Sequence, residues 1–256
     1  MNFLYCFKAE WIKKRRSLAA WLVIIGGFFT PAIITCAAIY RSEATRKALL
    51  KPDFWNKHWL ASWDTIAMFL LPMGVILATS LVTQIEFKNN TWKQLHTTPQ
   101  SYTRLFLAKL AVILTMLLQF LVIFSIGTYL SGILPSLIIS NASWPTGAIP
   151  YQKIFSDSVF FFVDCLPIVA IQFLLSLQFK NFLVPVGGGM ALWITSMVSL
   201  SWKYSYLVPF SQGALFYLKT SGRISKDLPV HEVALLYFTV ITGISYILYI
   251  TKKEKG

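Results

Sequence analysis

The chain has 256 residues, of which 56% are hydrophobic, 16% aromatic and only 13% charged. Soluble domains carry about 25% charged residues, so this composition excludes a water-soluble globule of ordinary make-up. The net charge of +13 does not indicate nucleic acid. No basic helix face interleaved with aromatics lies outside the apolar blocks, and membrane proteins keep excess Lys and Arg in cytoplasmic loops.

The first element predicted is an amphipathic interfacial helix. Phe3, Leu4, Phe7 and Trp11 fall on one face at helical spacing, with Lys8, Lys13 and Lys14 largely opposite. A basic helix with a bulky apolar face lies in the plane of the membrane interface. Phe3, Phe7 and Trp11 are therefore the expected interfacial anchors, and membrane lipid is their partner.

Crossing a ~30 Å hydrocarbon core takes roughly 20 apolar residues at 1.5 Å each. Six blocks qualify: residues 17–40, 65–85, 105–130, 158–179, 182–202 and 233–250. The first is too long for the roughly 7–15-residue apolar region of a secretory signal. The second contains Pro72 and Gly74, which membrane helices tolerate where neighbours satisfy the freed backbone. The expectation is an all-α membrane protein, a single transmembrane domain over residues 1–256. With the N-terminus inside, the cytoplasmic segments hold 13 Lys and Arg against 10 outside. The dense Lys13-Lys14-Arg15-Arg16 cluster adds to that bias, so both termini are placed in the cytoplasm.

Two connections are long and patterned. Residues 41–64 carry Trp55, Trp59 and Trp63 at four-residue spacing, which reads as an interfacial helix with three indoles at the membrane surface. Residues 203–232 mix Pro209, Gly213, Gly222 and Pro229 with Phe210, Leu215, Phe216 and Tyr217, and read as a re-entrant-like segment before the last span.

Motifs for chemistry are few. There is no phosphate-binding loop; Gly187-Gly188-Gly189 lies within an apolar helix and suits close helix approach. His231-Glu232 begins like a zinc-protease helix, but Leu235 stands where the second His is needed. Cys6, Cys36 and Cys165 are too scattered for a disulfide framework or a metal cluster. His58 and His96 read as solvated loop residues, and Lys109 as a cation snorkelling at the edge of the third span. Asp164, inside the fourth span, is the candidate polar contact of a transport path, since ionisable groups at bilayer depth face a cavity or a partner.

The segment between spans two and three begins at Glu86, has a short helical stretch around residues 91–95 and stops at Thr98-Pro99, because Pro disfavours α in the preceding residue. Ser101 is placed to cap the next helix. A short helix exposing Trp92 and Leu95 suits a groove on a soluble partner.

The pattern Glu86, Thr91-Trp92-Lys93, Leu95, Thr98-Pro99, Ser101 and Ala108-Lys109 resembles the cytoplasmic segment of type-2 ABC transporter permeases. It is most like the bacitracin-resistance and lantibiotic-immunity branch. The resemblance extends to the layout of the whole chain, except the Trp-rich 41–64 segment. It implies a multi-pass permease of the bacterial cytoplasmic membrane that exports hydrophobic peptides or antibiotics. It also implies pairing with a second permease, the same chain or a similar one, and coupling to separate ABC ATPase subunits through Glu86, Thr91, Trp92, Lys93, Leu95, Pro99 and Ser101. ATP and Mg would then be held by the partner, with no cofactor and no catalysis in this chain. The rival readings are a non-transporting anchor or sensor using the same loop, and an intramembrane enzyme. The latter needs two reactive groups meeting at membrane depth, where the sequence offers Asp164 alone.

Overall fold

A computed structural model describes residues 3–15, 17–88 (86–88 by backbone only), 101–225 and 227–251. The described residues are helical, with no strand among them. In chain order the helices are α1 (Phe3–Arg15), α2 (Leu18–Tyr40), α3 (Ser42–Leu49), α4 (Phe54–Thr65) and α5 (Leu71–Lys88). They continue as α6 (Tyr102–Ile138), α7 (Tyr151–Gln178), α8 (Leu183–Val198), α9 (Gln212–Thr220) and α10 (Val230–Thr251). Six helical stretches are long and apolar enough to cross a membrane: Leu18–Tyr40, Phe54–Ile85, Tyr102–Ile138, Tyr151–Gln178, Leu183–Ser201 and Val230–Thr251.

The second of these departs from the sequence reading. It starts at Phe54, because α4 runs into α5 through a π-helical stretch, Ile66–Leu70. Pro72, just beyond, has no N–H for the carbonyl of Met68 four residues back. That carbonyl accepts instead from the indole Nε1 of Trp193 at 3.1 Å, so the irregular turn is satisfied by the fifth span. The Trp-rich segment is also corrected. Trp55, Trp59 and Trp63 are 5%, 2% and 1% exposed and face the protein interior rather than a membrane surface. Trp63 stacks on Phe161 at 3.6 Å and meets Phe124 edge-on at 4.8 Å.

α2 packs along α6, α7 along α10, and α5 crosses between α2 and α7. Glycines permit the first pairing. A Cβ on Gly27 would lie 2.8 Å from the side chain of Ile123, and one on Gly127 3.0 Å from Pro31. Ser101 caps α6 through its side chain, which accepts from the backbone N–H of Arg104, as its position before the helix suggests. The segment ahead of the last span folds as a 3-10 turn, Ser205–Leu207, and α9, which rests on α7, α4 and α10.

Candidate functional site

α7 is the hub. Asp157, Asp164, Gln172 and Ser176 are all buried, and at 100° per residue they share an arc of about 120°. Together they engage α4, α5, α8 and α10. Asp157 Oδ2 accepts from Trp59 Nε1 at 2.9 Å. Asp164 Oδ1 lies 2.8 Å from His231 Nδ1 on α10. Gln172 Nε2 donates to Ser80 Oγ at 2.6 Å and to the carbonyl of Pro185 at 2.8 Å, and Ser176 Oγ donates to Ser80 Oγ at 3.2 Å. A polar group left unpaired in hydrocarbon costs several kcal/mol, so each pairing ties α7 to a neighbour. Periodicity along α7 alone would have exposed this ladder; the sequence reading singled out only its second member.

Asp164 is not alone, as the sequence suggested. His231, half-buried at the start of α10, is its partner and is clamped by Phe160, stacked at 4.3 Å, and Phe216, edge-on at 5.1 Å. The two lie 67 residues apart in the chain, and the reading of His231 as a failed zinc motif hid the pairing. Oδ2 of Asp164 has no hydrogen-bond partner among the described residues.

Lower on α7, the backbone of Gly189 lies against Gln172. A Cβ there would sit 2.3 Å from Gln172 Oε1, whereas one on Gly188 would make an ordinary 3.6 Å contact with Leu175. Gly189→Ala is therefore expected to displace Gln172 from two hydrogen bonds and lower stability by about 1–3 kcal/mol. Gly188→Ala should be near neutral. Thermal unfolding in detergent reads the difference, and equal midpoints for the two variants would refute the close approach.

A second cluster joins α1 to α6. Glu10 is buried between Lys109 Nζ, at 3.2 Å, and Lys13 Nζ, at 2.5 Å. Lys14 Nζ reaches Gln119 Oε1 at 2.8 Å and sits 4.0 Å over the Trp11 ring; burial pushes its pKa down. Lys109 is thus an ion-paired interior cation rather than a snorkelling one, and Lys14 does not lie on a solvated face. Of the expected anchors, Phe3 is exposed, while Phe7 and Trp11 are half-buried and stacked at 5.8 Å. His58, read as a solvated loop residue, lies on α4 with Nε2 3.0 Å from the Thr128 carbonyl and 2.9 Å from Ser131 Oγ.

In the last turn of α4, Arg223 pairs with Asp64 at 3.1 Å. Burial, reinforced by the Asp64 carboxylate, pushes the Tyr217 hydroxyl up to about 12.

An apolar groove of about 690 Å³ lies between α2 and α5, floored by α6, with Val169 and Phe182 also lining it. Its size falls in the ~300–1,000 Å³ range of small-molecule sites. Asp164 does not line it. The residues read as coupling, Thr91, Trp92, Lys93, Leu95 and Pro99, lie outside the described residues, and Glu86 is described by its backbone at the end of α5 only. His96 also lies outside.

Residues 6–201 match the family described as ABC-2 family transporter protein, a stretch that runs from α1 through the fifth span. Comparison with curated proteins and with solved structures returns no match for either.

Proposed function

The chain belongs to the ABC-2 transporter family, and from that premise we propose that it is one half of the translocation path of an ATP-driven exporter. It is a multi-pass permease subunit; a second copy or a similar permease supplies the other half, and ABC ATPase subunits supply the energy. The carrying observation is the family match, joined to six apolar helices with a patterned polar connection between the second and third. Glu86, Thr91, Trp92, Lys93, Leu95, Pro99 and Ser101 form the coupling element, and ATP with its Mg is bound in the partner. The whole chain acts as one transmembrane domain. Phe3, Phe7 and Trp11 anchor α1 in the interface. Asp164, with its unpartnered buried oxygen, and His231 form the polar contact of the path. Spans two and five form the surface toward the second permease, on family resemblance.

Six spans put both ends of the chain on one side, and the Lys and Arg bias supports the bacterial cytoplasm as that side. The cargo class is apolar peptides or antibiotics, a reading supported by the resemblance of the coupling segment and by the apolar lining of the groove. Export of such compounds would confer antibiotic or bacteriocin resistance.

The test is on Trp92. Truncating it to Ala should remove a hot-spot contact costing about 2 kcal/mol, roughly a 30-fold loss of affinity for the ATPase subunit. Co-purification and the ATPase rate of the assembled complex measure this, with Trp144→Ala as control, since Trp144 is exposed between α6 and α7. Wild-type assembly and ATPase rate in Trp92→Ala would remove the segment from the coupling role.

A further inference from the structure

A helix that crosses a membrane bends where its own hydrogen-bond ladder is interrupted, at a proline or a π-helical turn. The second span has both. The N–H of Leu71 bonds the carbonyl of Ile66, five residues back, and Pro72 follows with no N–H to give. The fourth span carries Pro167 inside α7, which withholds the N–H that the carbonyl of Val163 would accept.

Both irregular points lie between the same two sets of ties. Above them, Trp59 bonds Asp157 at 2.9 Å and Trp63 stacks on Phe161 at 3.6 Å. Below them, toward the ends of α5 and α7, Ser80 accepts from Gln172 and Ser176. There Gln84 Nε2 also donates to the carbonyl of Phe179 at 2.8 Å. The π-helical turn and Pro72 fall between Trp63 and Ser80, and Pro167 falls between Phe161 and Gln172. The lower halves of the two spans are therefore cross-linked to each other, and each joins its upper half through an interrupted turn.

Trp193 controls one of those turns. It is half-buried, stands edge-on to Phe69 at 5.1 Å, and gives the Met68 carbonyl the donor that Pro72 denies it. This bond comes from another span, so it can break or form while the rest of the helix stays intact.

We propose that the lower halves of spans two and four swing as one body about the π-helical turn and Pro167, with Trp193 the positioning residue that restrains the swing. The frame they move against is α6, whose single proline lies in its last turn, with α1 docked on it through Glu10 and Lys109. From Leu71 to Lys88 α5 is about 27 Å long, so a ~20° change at the turn carries its end sideways by about 9 Å. That this swing passes motion to the coupling segment rests on the transporter reading; the swing itself does not.

The experiment uses the full chain with Cys6, Cys36 and Cys165 replaced by alanine, spin-labelled through Ile12→Cys on α1 and Lys180→Cys after α7, both exposed positions. Double electron–electron resonance reads the distribution of distances between the labels. Trp193→Phe keeps a ring but removes the N–H, and should broaden that distribution by up to about 9 Å. Pro72→Ala gives Met68 a donor within its own helix and should narrow it. In the Pro72→Ala background, Trp193→Phe should add nothing. A pair above the turns, Lys57→Cys with Lys219→Cys, should stay unchanged throughout. An unaltered distribution in a folded Trp193→Phe would overturn the proposal. So would the same broadening with and without Pro72, or equal broadening of the upper pair. If Trp193→Phe fails to fold by thermal melting, Pro72→Ala decides alone, and no narrowing refutes the hinge. The readout needs neither ATPase nor cargo, so its failure would leave the transporter reading standing, and a failed Trp92 test would leave the hinge standing.

Discussion

Trp63→Ala is expected to lower stability by about 3–5 kcal/mol, the range for truncating a large buried aromatic. The ring is 1% exposed, stacks on Phe161 and stands edge-on to both Phe124 and Trp59, at 4.8 and 5.7 Å. These contacts bind α4 to α6 and α7, so the truncation opens a void where three helices meet. Trp63→Phe should cost far less, under about 1.5 kcal/mol. The indole Nε1 has no hydrogen-bond partner among the described residues, and only ring volume is lost. Thermal unfolding in detergent micelles, followed by circular dichroism, orders the three proteins. Equal losses for Ala and Phe, or none for Ala, would return this tryptophan to the membrane surface that the sequence suggested.

Glu10→Ala should be nearly as damaging. Breaking a buried ion pair by removing one partner costs about 3–5 kcal/mol, and both Glu10 and Lys109 side chains are 4% exposed. The effect should be local, because α1 contacts the bundle chiefly through α6. Hydrogen exchange along residues 3–15 is therefore the sensitive measurement. The double variant Glu10→Ala, Lys109→Met removes both charges and should recover much of the loss, since an apolar replacement of a buried pair is often near neutral. A double-mutant cycle isolates the coupling. Strict additivity of the two single changes would show that the pair contributes nothing to docking α1.

The six spans were legible because membrane crossing is read from one dimension: a run of apolar residues either reaches ~30 Å or does not. The family resemblance was legible for a similar reason, being carried by contiguous residues. What was misread depended on the third dimension. Tryptophans at four-residue spacing look alike whether the face they form meets lipid headgroups or a neighbouring helix. Phe124, Phe161 and Asp157 decide the matter, and Asp157 lies 98 residues from the Trp59 it bonds. Lys109 and Glu10 are 99 residues apart, so a cation at a helix edge gave no sign of its partner. Gln172 passed unnoticed because an amide in an apolar run carries no charge to mark it. The coupling segment, the part read most fully from the sequence, falls largely among residues the structure does not describe.

α6 has a mechanical implication. Its 37 residues extend about 55 Å, against a hydrocarbon core of ~30 Å. It starts at the cap that closes the segment between spans two and three, and its single proline, Pro135, lies in the last turn. Nearly the whole rod is therefore free of a built-in hinge. A rod of that length tilted by about 10° about one end carries the other sideways by roughly 10 Å. A small push delivered beside Ser101 would thus become a wide stroke at Ile138, and stiffness would do the amplifying.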